Sequence, residues 1–260
     1  MFNKRIIPTL LISENKLIKT EKFKSPVYVG DPINVAKIFN DKEVDELAII
    51  DIDATRRGQQ PNFELIKTIA SECFMPVSYG GGISSFEDAE RILKSGVEKI
   101  IVQSIALENP TLINRITEVF GVQSLIVSLD VVPTKDNKTY TLFSRANMFR
   151  RFFKSRYLLA NKIDELNKIG IGEYLITNVN KEGTLNGLDY DLIKATSDLT
   201  ECPIIYAGGA SDFEDISKAF KFGAHAVSVG RLFTLHGSHK AVLVSYPKRS
   251  EIKKILNEAM

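Results

Sequence analysis

PVSYGGGISSFEDAERILKSGVEKIIVQSIAL begins at Pro76, and PIIYAGGASDFEDISKAFKFGAHAVSVGRLFT begins at Pro203. Aligned without a gap, the two share Pro, Tyr, Gly-Gly, Ser, Phe-Glu-Asp and a later Gly, about half of the 260-residue chain apart. The strands ahead of them keep the register: DELAIIDID from Asp45 lies over GEYLITNVN from Gly172, with Glu46 over Glu173. A period of half the chain means that one structural unit is used twice.

Working outward, apolar β-branched runs recur at Arg5–Ile12, Glu46–Asp53, Pro76–Tyr79, Lys99–Gln103, Ser124–Asp130, Glu173–Val179, Pro203–Ala207 and Ala224–Gly230. Amphipathic stretches stand between them, among them Pro32–Asn40, Phe63–Ser71, Phe86–Lys94, Thr111–Phe120 and Phe213–Phe222. Strands alternating with helices predict an α/β fold with parallel strands. Continuous runs such as LAIIDID and LIVSLD suit strands covered on both faces. An open doubly wound sheet fits the strand count alone; the repeat favours a (β/α)8 TIM barrel of two half-barrels, one domain over 1–260.

The composition, 44% hydrophobic and 25% charged, is that of a soluble globular enzyme, and a net charge of +2 is too small to point to nucleic acid. Cys73 and Cys202 form no CxxC, so a reducing cytoplasm is the expected compartment. MFNKRIIPTLLI lacks a signal-cleavage pattern, and no run reaches membrane-spanning length.

In a barrel the residues just past each strand form the active face. Gly80-Gly81-Gly82 ends the third strand and Gly208-Gly209 the seventh, where glycine lets backbone N–H groups approach an anion. One strand later stand Gln103-Ser104 and Gly230-Arg231, and Gly183 and Asn186-Gly187 add a glycine-rich loop beside the second lobe. Two lobes across one mouth suit a small molecule phosphorylated at both ends.

RIIP at Arg5–Pro8, GDP at Gly30–Pro32, DELAIIDIDA, YGGGI, EKIIVQS, SLD at Ser128–Asp130, EGTLNG and AGGA together resemble the cyclase subunit of imidazole glycerol phosphate synthase, HisF. The resemblance runs from Arg5 to about Phe233 and implies a ribulose-phosphate-binding type of barrel. It also implies a heterodimer with a HisH-like glutaminase, whose ammonia enters the barrel floor and reacts at the top with a bisphosphorylated ribonucleotide. The inlet gate implied is Arg5, Glu46, Lys99 and Glu173, each opening a strand. Strand alternation turns Arg5 inward with Ile7, Thr9 and Leu11, Lys99 with Ile101 and Gln103, and Glu173 with Leu175 and Thr177.

The family's proton chemistry uses two aspartates, ending the first and fifth strands. Asp130 keeps the second; Leu11 stands at the first. Leucine carries no proton, and losing such a group removes a factor of roughly 10²–10⁴ in rate. Glu182 and Arg231 also depart from the family, which has aspartate and a small residue there. With the ending GSHKAVLVSYP and the segment KFKSPVYVGDPINVAKIFNDKEVDEL, these departures resemble a branch associated with glycosyl amidation (WbuZ). That branch implies a barrel serving as conduit and platform, with a separate amidotransferase making acetamidino sugars. The alternative is an active cyclase of histidine biosynthesis, in which Asp130 shares proton work with a group such as Asp51 or Glu14.

Lys19, in the charged loop Ser13–Val29, matches a lysine of the family's loop, and with Asp51 and Thr177 it is expected to face the substrate. Asp51 and Asp53 suit polar positioning rather than a metal; His236 and His239, spaced for one helix face, lack a third ligand. Neither a metal nor a cofactor is expected. Met148–Tyr157, MFRRFFKSRY, is expected over the active face in substrate or partner contact rather than on nucleic acid.

Overall fold

The computed structural model describes residues 4–136, 139–143, 158–237 and 239–258. Its ring of strands runs β1 (Arg5–Ser13), β2 (Leu47–Asp51), β3 (Val77–Gly80), β4 (Lys99–Val102), β5 (Leu125–Pro133), β6 (Glu173–Asn178), β7 (Ile204–Ala207) and β8 (Ala226–Val229). Each pairs with the next in parallel, and β8 returns to β1 from Arg5–Ala226 to Pro8–Val229, closing the barrel. The longer helices are α1 (Pro32–Asp41), α2 (Phe63–Ser71), α3 (Phe86–Lys94), α4 (Pro110–Phe120), α5 (Leu159–Asn167), α6 (Tyr190–Ser197), α7 (Phe213–Lys221) and α8 (Arg249–Glu258), and two short ones are Ala54–Arg57 and Ser104–Glu108. This is the (β/α)8 barrel that the repeat predicts.

Alternation along the strands feeds two cores. Outward residues such as Ile6, Leu10, Ile100, Val127, Tyr174 and Tyr206 pack against the helices. Inward Ile7, Ala48, Ile101, Ile126, Leu175, Ile205 and Ala226 form a separate cluster along the axis. With apolar partners on both sides, the strands need no polar face, which is why they read as nearly unbroken apolar runs.

The repeat has a physical cause at its most similar residues. Asp88 and Asp215 are both buried at the first turns of α3 and α7. Asp88 accepts hydrogen bonds from Ser84 N at 3.0 Å and Ser85 N at 3.1 Å, and Asp215 from Ser211 N at 2.9 Å and Leu188 N at 3.1 Å. A carboxylate there is stabilised by donated amides and by the helix dipole. The shared Phe-Glu-Asp is therefore a cap that anchors loop to helix. Gly81 and Gly208 match in the same way: both have positive φ, and a Cβ would collide with the Asp51 carbonyl in one half and the Asn178 carbonyl in the other.

Two expectations change, and a third lies outside the described residues. The charged loop after β1 is an antiparallel hairpin, Lys16–Glu21 against Lys24–Gly30, which extends β1 through Leu11–Ile18 and Ser13–Lys16. His236 lies in a short strand and His239 in a turn, so the two do not share a helix face. Met148–Tyr157 lies outside the described residues. Among the described residues no helix is long and apolar enough to cross a membrane.

Leu10 is fully buried between barrel and helices. Leu10→Ala is expected to cost about 2–5 kcal/mol. Thermal unfolding checks this as a fall in Tm of roughly 2–4 °C per kcal/mol.

Candidate functional site

The barrel floor is closed by charge. Arg5 opens β1, Lys99 opens β4 and Glu173 opens β6, while Glu46 immediately precedes β2, so inward alternation brings all four to one level. Arg5 Nη1 donates to Glu46 Oε2 at 2.6 Å and Nη2 to Glu173 Oε2 at 2.5 Å. Lys99 Nζ donates to Glu46 Oε2 at 3.1 Å and to Glu173 Oε1 at 2.8 Å. Each cation thus touches both anions, and the quartet is neutral. Burial pushes the Glu173 carboxyl up, but Arg5 and Lys99 outweigh it and hold the group below its usual range. Glu46 is 2% exposed, and its Oε1 has no hydrogen-bond partner among the described residues. Above the ring come the apolar axial cluster and then a polar pair, Thr9 Oγ1 and Ser228 Oγ at 2.6 Å.

At the opposite end the strands' C-terminal ends line an open cleft. Its walls include Leu11, Lys19, Asp51, Gly81, Gly82, Gln103, Ser104, Asp130, Thr177, Gly183, Gly208, Gly209, Gly230 and Arg231. These residues, all expected at the top, are therefore in one place, whereas Asn186 and Gly187 do not line the cleft; the four expected at the floor lie at the far end of the axis.

Asp130 stands on the inward face of β5 and accepts from Gln103 Nε2 at 2.8 Å. Burial raises its carboxyl to about 6, against the opposing pull of Gln103 and Thr177. Leu11 places a hydrocarbon in the same cleft. Asp51 is raised by burial but is tied to the amides of Asp53 and Ala54, both at 3.0 Å. It acts as a turn anchor at the end of β2. Asp53 is engaged by Ser13 at 2.5 Å and Arg56 at 2.6 Å. Among the described residues no cluster of His, Cys, Asp and Glu is arranged to hold a metal.

The two glycine lobes differ. In the first, Gly82 N donates to Thr55 Oγ1 at 3.0 Å, so a hydroxyl already stands at the amide. The second is crowded with charge. Lys19 is 3% exposed, donates to the Thr9 carbonyl and sits against Gly230. Burial lowers its amine to about 8, with Glu182 opposing. Glu182, raised by burial, accepts from Thr20 Oγ1 at 3.1 Å and Phe23 N at 3.1 Å. Arg231 donates to the Gly183 carbonyl and to Glu21 Oε2 at 3.2 Å.

Comparison with known proteins places this architecture. The family model described as histidine biosynthesis protein matches residues 5–240. A Leptospira interrogans protein, provisionally named imidazole glycerol phosphate synthase subunit HisF, is 40% identical over 96% of this chain and 98% of its own length. A Pseudomonas aeruginosa protein, provisionally named subunit hisF2 of the same synthase, is 42% identical over 95% and 97%. The imidazole glycerol phosphate synthase subunit HisF of Exiguobacterium sibiricum is 33% identical over 90% and 91%. This chain belongs to the HisF-like family.

For a HisF-like chain, sequence reasoning missed two features of the mouth. Thr55 and Arg56 line it from a four-residue helix, Ala54–Arg57, too short to leave a periodic signal. Thr20 and Phe23 reach Glu182 only because the hairpin folds across the opening. Nothing in KTEKFK announces that contact.

Two outcomes follow from the charges. Arg5→Ala leaves Glu46 and Glu173 to share Lys99, and removing one partner of a buried pair is expected to cost roughly 3 kcal/mol in denaturant unfolding. Asp130 titrates higher folded than the about 4 of an unfolded chain. Ionising it therefore opposes folding at neutral and alkaline pH, and that cost vanishes as pH falls below the unfolded value. Asp130→Asn is expected to raise Tm at pH 8 and to give no gain at pH 4.

Proposed function

We propose that this HisF-like chain is the ammonia-accepting subunit of a two-protein amidotransferase whose partner is a HisH-type glutaminase. The observation that carries the reading is the neutral ring of Arg5, Glu46, Lys99 and Glu173 across the floor, directly below an apolar stretch of barrel axis. Such a ring excludes bulk water until an ion pair parts. An apolar layer above it passes neutral ammonia and rejects ammonium, because a bare charge in hydrocarbon is far costlier than a small dipole. Glu46 Oε1 is an acceptor open to the N–H bonds of a guest at the ring.

At the mouth, the glycine lobes with Gln103, Ser104 and Arg231 receive a phosphorylated small molecule, and Lys19, Asp51 and Thr177 flank it. Leu11 leaves Asp130 as the one aspartate of the expected proton-transfer pair. The ammonia accordingly serves amidation of a cell-surface or flagellar sugar by a separate amidotransferase in the cytoplasm, with this barrel as conduit and platform.

One observation favours a second reading, an active cyclase (a lyase) of L-histidine biosynthesis. Asp130 is held near 6, which suits proton transfer close to neutral pH. Turnover of the bisphosphorylated pathway intermediate with ammonium salts separates the two. Wild type is expected to show none, and Leu11→Asp to gain some, because it restores a carboxyl to the mouth. Appreciable wild-type turnover overturns the conduit reading in favour of the cyclase.

A further inference from the structure

The hairpin over the mouth is fastened to the second glycine lobe by contacts from both of its sides. Lys22 N donates to the Glu182 carbonyl at 2.8 Å, and Phe23 N and Thr20 Oγ1 donate to the Glu182 carboxylate. A Cβ on Gly183 would collide with the Thr20 carbonyl, so the strand lies directly on that turn. Glu21, the last residue of the first hairpin strand, takes an N–H of Arg231 that also lines the cleft. The tip pays for this closure in backbone conformation: Lys22 and Phe23 have φ of 53° and 59°. Left-handed φ is uncommon in residues other than glycine, asparagine and aspartate. The fastening therefore holds a turn that its own sequence disfavours.

The four charged side chains that join the hairpin to this lobe balance one another. Lys19 and Arg231 supply two positive charges, and Glu21 and Glu182 two negative ones. A phosphate added to this set would leave its charge uncompensated, at close range to two carboxylates. If Glu21 leaves, one positive charge is released, on a guanidinium whose fork suits phosphate oxygens.

We propose that Glu21 is an internal stand-in for phosphate: its carboxylate occupies Arg231 in the free chain, and a phosphate group of the ligand displaces it, loosening the turn at Lys22-Phe23 while Lys19 stays in the lobe. This deepens the phosphate reading of the mouth and rests on it. The second lobe is then an exchange site rather than an open one, and ligand binding there is coupled to loosening of the hairpin tip. The first lobe, where Gly82 N meets only the Thr55 hydroxyl, binds phosphate without that exchange.

Inorganic phosphate serves as the probe, titrated calorimetrically into the full chain, Glu21→Gln and Arg231→Lys, with backbone amide exchange of residues 16–30 followed in parallel. Glu21→Gln removes both the competitor for Arg231 and a like-charge repulsion of the ligand. Glu21→Gln is therefore expected to bind phosphate at one site roughly three- to tenfold more tightly than the parent. Arg231→Lys, which keeps the charge but not the fork, is expected to weaken that site. Phosphate is expected to speed exchange in the parent hairpin, and Glu21→Gln to speed it without phosphate. Equal phosphate affinity in parent and Glu21→Gln, or a hairpin whose exchange phosphate slows, overturns the exchange while leaving the phosphate reading intact. No phosphate binding in any of the three overturns both.

Discussion

Closure of β8 onto β1 is the constraint on which the rest depends. Until Arg5 pairs with Ala226 and Pro8 with Val229, the eight strands form a curved sheet with no common interior. Once closed, alternate residues of every strand converge on one axis, and residues far apart in sequence become neighbours by level. Arg5 and Glu173 lie 168 positions apart, yet they meet at 2.5 Å. No local propensity could assemble that quartet. It exists because four strand starts are brought to the same height, and it is tolerated because each charge finds two opposite partners. A single unpaired carboxylate at that depth would cost several kcal/mol and would shift to its neutral form.

The sequence was most legible where the same physics acts twice. Gly81 and Gly208, Asp88 and Asp215, and Tyr79 and Tyr206 recur because each half needs a tight strand exit, a capped helix and a large outward ring. Their repetition betrays a shared geometry without revealing chemistry: the Phe-Glu-Asp that looks most like a motif turns out to be a cap. The inward register of Arg5, Lys99 and Glu173 was also readable, since strand alternation leaves no freedom once one residue is fixed.

The hairpin was not readable, and the reason is specific. Two-residue turns between strands announce themselves through Asn-Gly or Asp-Gly, because both central residues need positive φ. Here the two turns are Glu14-Asn15 and Lys22-Phe23, with all four residues at φ between 50° and 60°. Their conformation is imposed from outside, by Arg57 on Glu14 at 2.8 Å and by Glu182 on Phe23 at 3.1 Å. A tertiary contact that overrides local preference leaves no trace in the local sequence, so a charged segment reads as a loop. Thr55 escaped for a related reason: its hydroxyl matters only because the bend after a separate strand presents Gly82 N beside it.

The two ends of the axis solve one electrostatic problem differently. At the floor, the cations and anions all stand on or beside barrel strands, so the balance is rigid and opens only when a side chain swings away. At the mouth, Lys19, Glu21 and their neighbours ride on a hairpin, whereas Glu182 and Arg231 belong to the barrel rim. There the balance spans two bodies. A polar group buried by a movable element costs little to re-expose, because water takes over its hydrogen bonds as the element leaves. Re-exposing a group at the floor requires no such movement but strands its partner in a low-dielectric setting. The consequence is a charge balance fixed by the barrel strands at the floor, and one shared between the hairpin and the rim at the mouth.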